Sequence, residues 1–355
     1  MIPLWVADMD FESPPAVAEA LHRRVDHGVF GYTRAPDELE AAVQTLLSRD
    51  YGWEVPAPWL VWLPGLVSGL NVACRAAADP GGVVTFVPVY PPFLTAPVLQ
   101  GRSVVRVPLV QGAGGRWEMD LDLFAGSLEP SSRLVLLCSP HNPVGRVWSR
   151  AELEGLAELI IRFDLTVCSD EVHCGLVLDE DKPHVPLATL GDEIADRTIT
   201  LMSPSKTFNV PGLGCAFAII QNRALRRGFC RAMEGIVPHV NLFGYVAALA
   251  AYENGGQWHR ALLHYLRGNR DLVETEIGAM PGLSAAHVEA TYLAWIDARG
   301  SGLENPAKAF EEAGVGLSDG AEFGAPGFVR LNFGCSRSLL AEGLARMRAA
   351  LAGGR

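Results

Sequence analysis

A chain of 355 residues with 49% hydrophobic and 19% charged residues is no disordered chain, and it is long enough for one large α/β domain or two smaller ones. A net charge of −11 argues against nucleic acid and anionic membrane surfaces as partners, since both attract basic patches. Seven scattered cysteines without a C-x-x-C pair, an acidic N-terminus and the lack of a membrane-length apolar run point to a reduced, cytoplasmic protein.

In chain order, PPAVAEALHRRVDHG (14–28) predicts a helix with proline near its start and Gly28 at its end, and PDELEAAVQTLLSRDYG (36–52) predicts a second. VFGYTRA between them reads as a loop. From about residue 60 to 220, short apolar runs alternate with helical stretches: GGVVTFVPVY, RSVVRVPLV, SRLVLLCSP, DLTVCSDEV, RTITLMSPS and LGCAFAII. These runs are apolar on both faces, as strands of a helix-covered, mostly parallel sheet should be. The alternation predicts a doubly wound α/β domain, which binds its ligand at the carboxyl ends of its strands. Residues 224–275 read as helical. After Pro281 the texture is α+β, with ATYLAWIDA, NPAKAFEEAG, FVRLNFG and a final helix, SLLAEGLARMRAALA. The expected division is a large domain over 30–255 and a smaller one from 1–29 and 256–355.

The carboxyl ends of those runs collect one constellation. Asn142 follows the third run, Asp170 lies near the end of the fourth with His173 just after it, Ser203 and Ser205 close the fifth with Lys206 next, and Tyr90 closes the first. The set suits an aldehyde cofactor with a ring nitrogen and a phosphate, pyridoxal 5′-phosphate (PLP). A lysine amine condenses with an aldehyde, whereas a guanidinium does not lose its proton near neutral pH. The chain has only three lysines among its 29 basic residues, so a lysine at a strand end is informative. The other two, Lys182 and Lys308, sit in charged surroundings and read as solvated surface. Asp170 is placed to pair with a pyridinium nitrogen and Asn142 to donate to a phenolic oxygen, while Tyr90 suits stacking on a ring face. LPGLVSGLNVACRAA (63–77) offers a glycine turn into a helix N-terminus, a natural anion site. Taken singly, each residue also reads as a loop lysine, a cap, a turn or packing. CSDEVHC lacks the paired spacing of a zinc site, and no metal is expected.

The blocks SPHNPVGRV, SDEVHCGLVL and SPSKTFNVPGL resemble the signatures of fold-type I PLP enzymes of the class I/II aminotransferase superfamily. IPLWVADMDFESPP, FGYT, PVYPPF, EATYLAWID and FVRLNFGCSRSLL narrow the resemblance to the MalY/PatB group of cystathionine β-lyases and C–S lyases, over nearly the whole chain. The resemblance implies an aspartate aminotransferase-like fold. It implies Lys206 as the Schiff-base lysine, Asp170 at the pyridine nitrogen, Asn142 at the phenolic oxygen, His173 among the cofactor-binding residues, and Tyr90 on the ring. Gly65, Leu66 and Val67 with Ser203 and Ser205 would hold the phosphate. Arg330 would clamp the substrate carboxylate, with Trp5 and Asn142 nearby. Tyr32 would reach the neighbouring subunit's site in a homodimer.

Three departures stand out. His173 replaces a tyrosine of many aminotransferases, which tilts the expectation toward a lyase. Gly214 replaces a phosphate-binding arginine of many relatives. The group also usually carries a further N-terminal arm before IPLWVADMDF. The implied activity is α,β-elimination from cystathionine, cysteine or a cysteine S-conjugate. An aminotransferase or a tailoring enzyme of secondary metabolism is the alternative, and a regulatory PLP-binding protein a second one.

Overall fold

The computed structural model describes residues 1–77 and 81–353. Helix α1 (Pro15–His27) opens on a proline, whose missing N–H lies among the groups a first turn leaves unbonded anyway. Gly28, at φ 73°, ends it. Helix α2 (Asp37–Tyr51) carries Asp37, Glu38 and Glu40 in its first turn, where the helix dipole favours acids.

Seven strands form the large sheet: β1 (Leu60–Leu63), β2 (Gly82–Val87), β3 (Val104–Pro108), β4 (Ser132–Cys138), β5 (Thr166–Asp170), β6 (Thr198–Met202) and β7 (Ala216–Ile219). Their order is β1-β7-β6-β5-β4-β2-β3. Strands β2 to β6 run parallel, and β7 lies antiparallel between β6 and β1. The six expected runs are all strands. β1 is the one the sequence conceals, because it is only four residues long, LVWL, and runs almost at once into the glycine turn before α3.

Alternation along each strand divides the core in two. Val84, Phe86, Val135, Leu137 and Val167 face helix α4 (Arg150–Arg162) on one side of the sheet. Val83, Leu134, Leu136, Ile199 and Leu201 face helix α3 (Leu66–Ala76) on the other. A capping box between Ser149 and Glu152 fixes the start of α4. Helices α5 (Leu242–Asn254) and α6 (Gly256–Gly278) lead to a four-stranded antiparallel sheet. Its strands β8 (Ser284–Ala285), β9 (Leu293–Asp297), β10 (Ser318–Asp319) and β11 (Phe328–Asn332) take the order β8-β9-β11-β10. Leu266, Val273 and Ile277 of α6 cover it, together with Leu340, Leu344 and Met347 of helix α7 (Arg337–Gly353).

Residues 1–29 pack in two places. Ile2, Leu4 and Met9 enter the core of the small sheet, and Ile2–Pro3 pairs with Val315–Gly316. Helix α1 instead sets Val17 and Ala20 against Phe208, Ala247 and Ala251. No helix among the described residues is long and apolar enough to cross a membrane.

Candidate active site

The carboxyl ends of β4, β5 and β6 meet the N-terminus of α3 around one cavity. Lys206, Asp170, Asn142, Tyr90, His173, Gly65, Leu66, Val67, Ser203 and Ser205 all line it. Ten residues from five chain segments thus converge because each lies within a few positions of an element end on one rim of the sheet.

Asp170 is the last residue of β5 and is 4% exposed. Among the described residues its carboxylate accepts one hydrogen bond, from the Val172 N–H at 3.2 Å. Burial raises its pKa to about 7, with the Val172 N–H and the Lys206 charge pulling the other way. A buried carboxylate so short of donors is ready to receive a cationic N–H. The Lys206 amine donates to the Ala7 carbonyl at 2.5 Å. Burial pushes its pKa down, and Arg330 adds to that against Asp8 and Asp170. Helix α3 starts at Gly65 without a side-chain cap, which leaves its first N–H groups facing the cavity.

His173 is buried, and its Nδ1 has no partner among the described residues. Burial, helped by the Lys206 and Arg330 charges, lowers its pKa to about 3, so the ring is neutral. It meets the Tyr292 ring edge-on at 6.2 Å. Arg330, on β11, donates from Nη1 to Asn142 Oδ1 at 3.2 Å and from Nη2 to the Trp5 carbonyl at 2.6 Å. Its Nε is buried and unpartnered among the described residues.

Several expected residues sit differently. The Ser203 hydroxyl donates to the Cys215 carbonyl and accepts from the Ser205 N–H, so it is already engaged. Trp5 reaches Arg330 through its carbonyl, while its indole covers Gly316 outside the cavity. Tyr32 lies fully exposed on the loop before α2 and touches nothing in the cavity. Gly214 does line it, at φ 58°, where a Cβ would stand 3.0 Å from the Pro64 carbonyl; a longer side chain has no room without a shift. Lys182 keeps about a third of its side chain exposed, 32%, but is not an unpaired surface lysine. Its Nζ bonds Glu289 and Asp179, both at 3.0 Å.

Sequence reasoning noted Trp5 and the block around it but did not single out the side chains that hold residues 6–11, namely Asn332, Tyr292 and Asn209. Asn332 Nδ2 donates to the Val6 and Asp8 carbonyls, the Tyr292 hydroxyl to Ala7 at 2.8 Å, and Asn209 Nδ2 to Met9 and Phe11. The one available signal was the position of these residues within otherwise apolar blocks, as in EATYLAWID and FVRLNFG.

The sequence matches the model of the family "Aminotransferase class I and II" over residues 1–347. It is 38% identical to cystathionine beta-lyase PatB of Bacillus subtilis (strain 168), over 99% of this chain and 92% of PatB. Among solved structures, OvoB superposes with a TM-score of 0.97 and 46% identity, over 99% of this chain and 93% of that one. Cystalysin from Treponema denticola, solved with its pyridoxal 5′-phosphate cofactor, superposes with a TM-score of 0.95 and 32% identity, over 100% and 92% of the two chains.

Proposed function

The chain belongs to the aminotransferase class I and II family, in its PatB and MalY group, and from that premise we propose that it is a PLP-dependent C–S β-lyase. It cleaves cystathionine, cysteine or a cysteine S-conjugate to a thiol, pyruvate and ammonia. Most support comes from the buried, donor-poor Asp170 carboxylate in the same cavity as the Lys206 amine and the uncapped start of α3. A pyridinium nitrogen, an aldehyde and a phosphate answer those three features in turn.

When bound, PLP supplies the electron sink that stabilises negative charge at the substrate Cα. Lys206 would hold the cofactor, and its amine is placed to take the substrate's Cα proton. Its lowered pKa suits a base near neutral pH. Asp170 would pair with the ring nitrogen and favour its protonated form, Asn142 and His173 would bind the cofactor beside it, and Tyr90 would pack on the ring. The N–H groups at Gly65, Leu66 and Val67, with Ser205, bind the phosphate in place of a cation at 214. Arg330 grips the α-carboxylate through donors that include its unpartnered Nε. The Cα–H pair then moves into a Cα=Cβ bond as the Cβ–S bond breaks and the thiolate leaves. The released unsaturated amine adds water to give pyruvate and ammonia. We read the chain as a cytoplasmic homodimer, with Tyr32 serving the neighbouring site. Exposed Val29, Phe30 and Tyr32 on one loop and seven free cysteines support that reading.

Holoenzyme given L-cystathionine is expected to release pyruvate and thiol in equal amounts without an oxo-acid acceptor. Turnover only with an acceptor, and equally of an amino acid lacking a β-leaving group, would make it an aminotransferase instead.

Two substitutions test the assignments. Arg330→Lys loses the bidentate fork, so the KM for L-cystathionine rises about ten- to a hundredfold, with a smaller effect on kcat. Asp170→Asn removes a carboxyl that folding keeps protonated up to about pH 7, against an ordinary value of 3.8. That group's contribution is fully present below pH 3.8 and is lost as pH rises toward 7. Cofactor-free Asp170→Asn protein therefore gains stability over the parent across that window and holds the gain above it. Thermal unfolding of both proteins near pH 4 and pH 8 reads the difference, although the variant enzyme is the poorer catalyst.

A further inference from the structure

We propose that Ser318 is a positioning residue for the substrate carboxylate, because its hydroxyl holds the Trp5 carbonyl, which must share the Arg330 guanidinium with that carboxylate. The inference rests on the reading of Arg330 as the carboxylate clamp.

Three groups form a closed triangle. Ser318 Oγ donates to the Trp5 carbonyl at 3.0 Å, Arg330 Nη2 donates to the same carbonyl at 2.6 Å, and Nη2 also reaches Ser318 Oγ at 3.3 Å. Strand pairing sets this geometry, since Ser318 on β10 stands directly opposite Arg330 on β11. The register of two strands thus delivers the hydroxyl to the guanidinium.

A carboxylate that draws on Nη2 weakens its bond to Trp5. A carbonyl left without a donor beside an arriving anion is unfavourable, and the strap 5–8 would move away from the site. The Ser318 hydroxyl prevents that, because it already donates to the same oxygen and does not depend on Arg330. Asn332 and Tyr292 hold the next three carbonyls from the same side. Of the strap's side-chain anchors among the described residues, Ser318 is the one that also hydrogen-bonds Arg330.

The test uses holoenzyme with Ser318→Ala and Ser318→Thr. In Ser318→Ala, KM for L-cystathionine rises roughly three- to tenfold, as expected for one lost hydrogen bond, while kcat stays within about twofold. Amide hydrogen exchange in residues 2–9 accelerates by a similar factor and slows less on adding substrate than in the parent. PLP content is unchanged, which separates the effect from unfolding. Ser318→Thr, which keeps a hydroxyl on a β-compatible side chain, returns both quantities to parental values. Parental KM and parental exchange in Ser318→Ala would overturn the proposal, as would a Thr variant that behaves like Ala. If no variant and no parent turns over L-cystathionine, the lyase reading fails. The exchange of residues 2–9 still decides the role of Ser318.

Discussion

Replacing Lys206 by alanine lowers kcat for L-cystathionine cleavage by roughly 10³-fold or more and removes the visible absorbance of lysine-bound PLP, without unfolding the protein. General-base assistance alone accounts for about 10²–10⁴ in rate, and the covalent hold on the cofactor is lost with it. Two observations predict that the fold survives. The Ala7 carbonyl that Lys206 contacts keeps a second donor, the Tyr292 hydroxyl at 2.8 Å, so no buried acceptor is orphaned. The amine is also a charge that burial disfavours, as its lowered pKa records. Far-UV circular dichroism and thermal unfolding should match the parent while the visible band and pyruvate release disappear. Retention of even a tenth of the rate would place the base elsewhere.

Glu289→Ala is expected to be the most damaging substitution to stability, at about 3–5 kcal/mol, although Glu289 lies outside the cavity. Its carboxylate is 2% exposed and gathers four donors: Arg116 Nε at 2.9 Å, Arg146 Nε at 3.0 Å, Lys182 Nζ at 3.0 Å and the Val147 N–H at 2.9 Å. Arg146, itself 1% exposed, keeps Glu152 at 2.8 Å but loses the neutralising partner on its other edge. Burial alone would raise the Glu289 pKa, yet Arg146, Lys182 and the Val147 N–H outweigh it and hold the group below its ordinary 4.5. Its stabilisation is therefore present above pH 4.5 and is lost as pH falls through the folded-state value. Urea unfolding at fixed PLP should show the full deficit near pH 7 and a narrowing gap below pH 4.5. Activity suffers as well, because Arg146 and Val147 belong to the loop that carries Asn142, and the Gly145 carbonyl accepts the Ala290 N–H at 2.9 Å. Glu289→Gln, which retains shape and an acceptor, should lose less.

The contrast between Lys206 and Glu289 shows what a sequence displays and what it hides. Lys206, Asp170 and Asn142 each follow an apolar run by a few residues, so their position at a strand end is local information. A parallel sheet then brings successive strand ends together without further instruction. The uncapped start of α3 is legible for the same reason, as a glycine turn entering a helix. Glu289 and Lys182 were not legible in this way. Their partners come from residues 116, 146, 147 and 179, and only the packed chain brings those together. Lys182, surrounded in sequence by acids, looks solvated, whereas it is fixed between two carboxylates. Ser318 and the Trp5 carbonyl lie 313 residues apart, and their contact goes with the pairing of Ile2–Pro3 alongside Val315–Gly316, while the register between β10 and β11 adds Arg330. Strand β1 was hidden by its brevity, and the antiparallel sense of β7 by the fact that an apolar run carries no direction.

The most direct measurement exploits the scarcity of lysine. The purified protein would be saturated with PLP, reduced with borohydride and digested, and the phosphopyridoxyl group located by mass spectrometry. With only three lysines in the chain, the outcome is unambiguous. The group is expected on Lys206 and on no other residue. A label on Lys182 or Lys308, or none at all, would contradict the assignment of this cavity as the cofactor site.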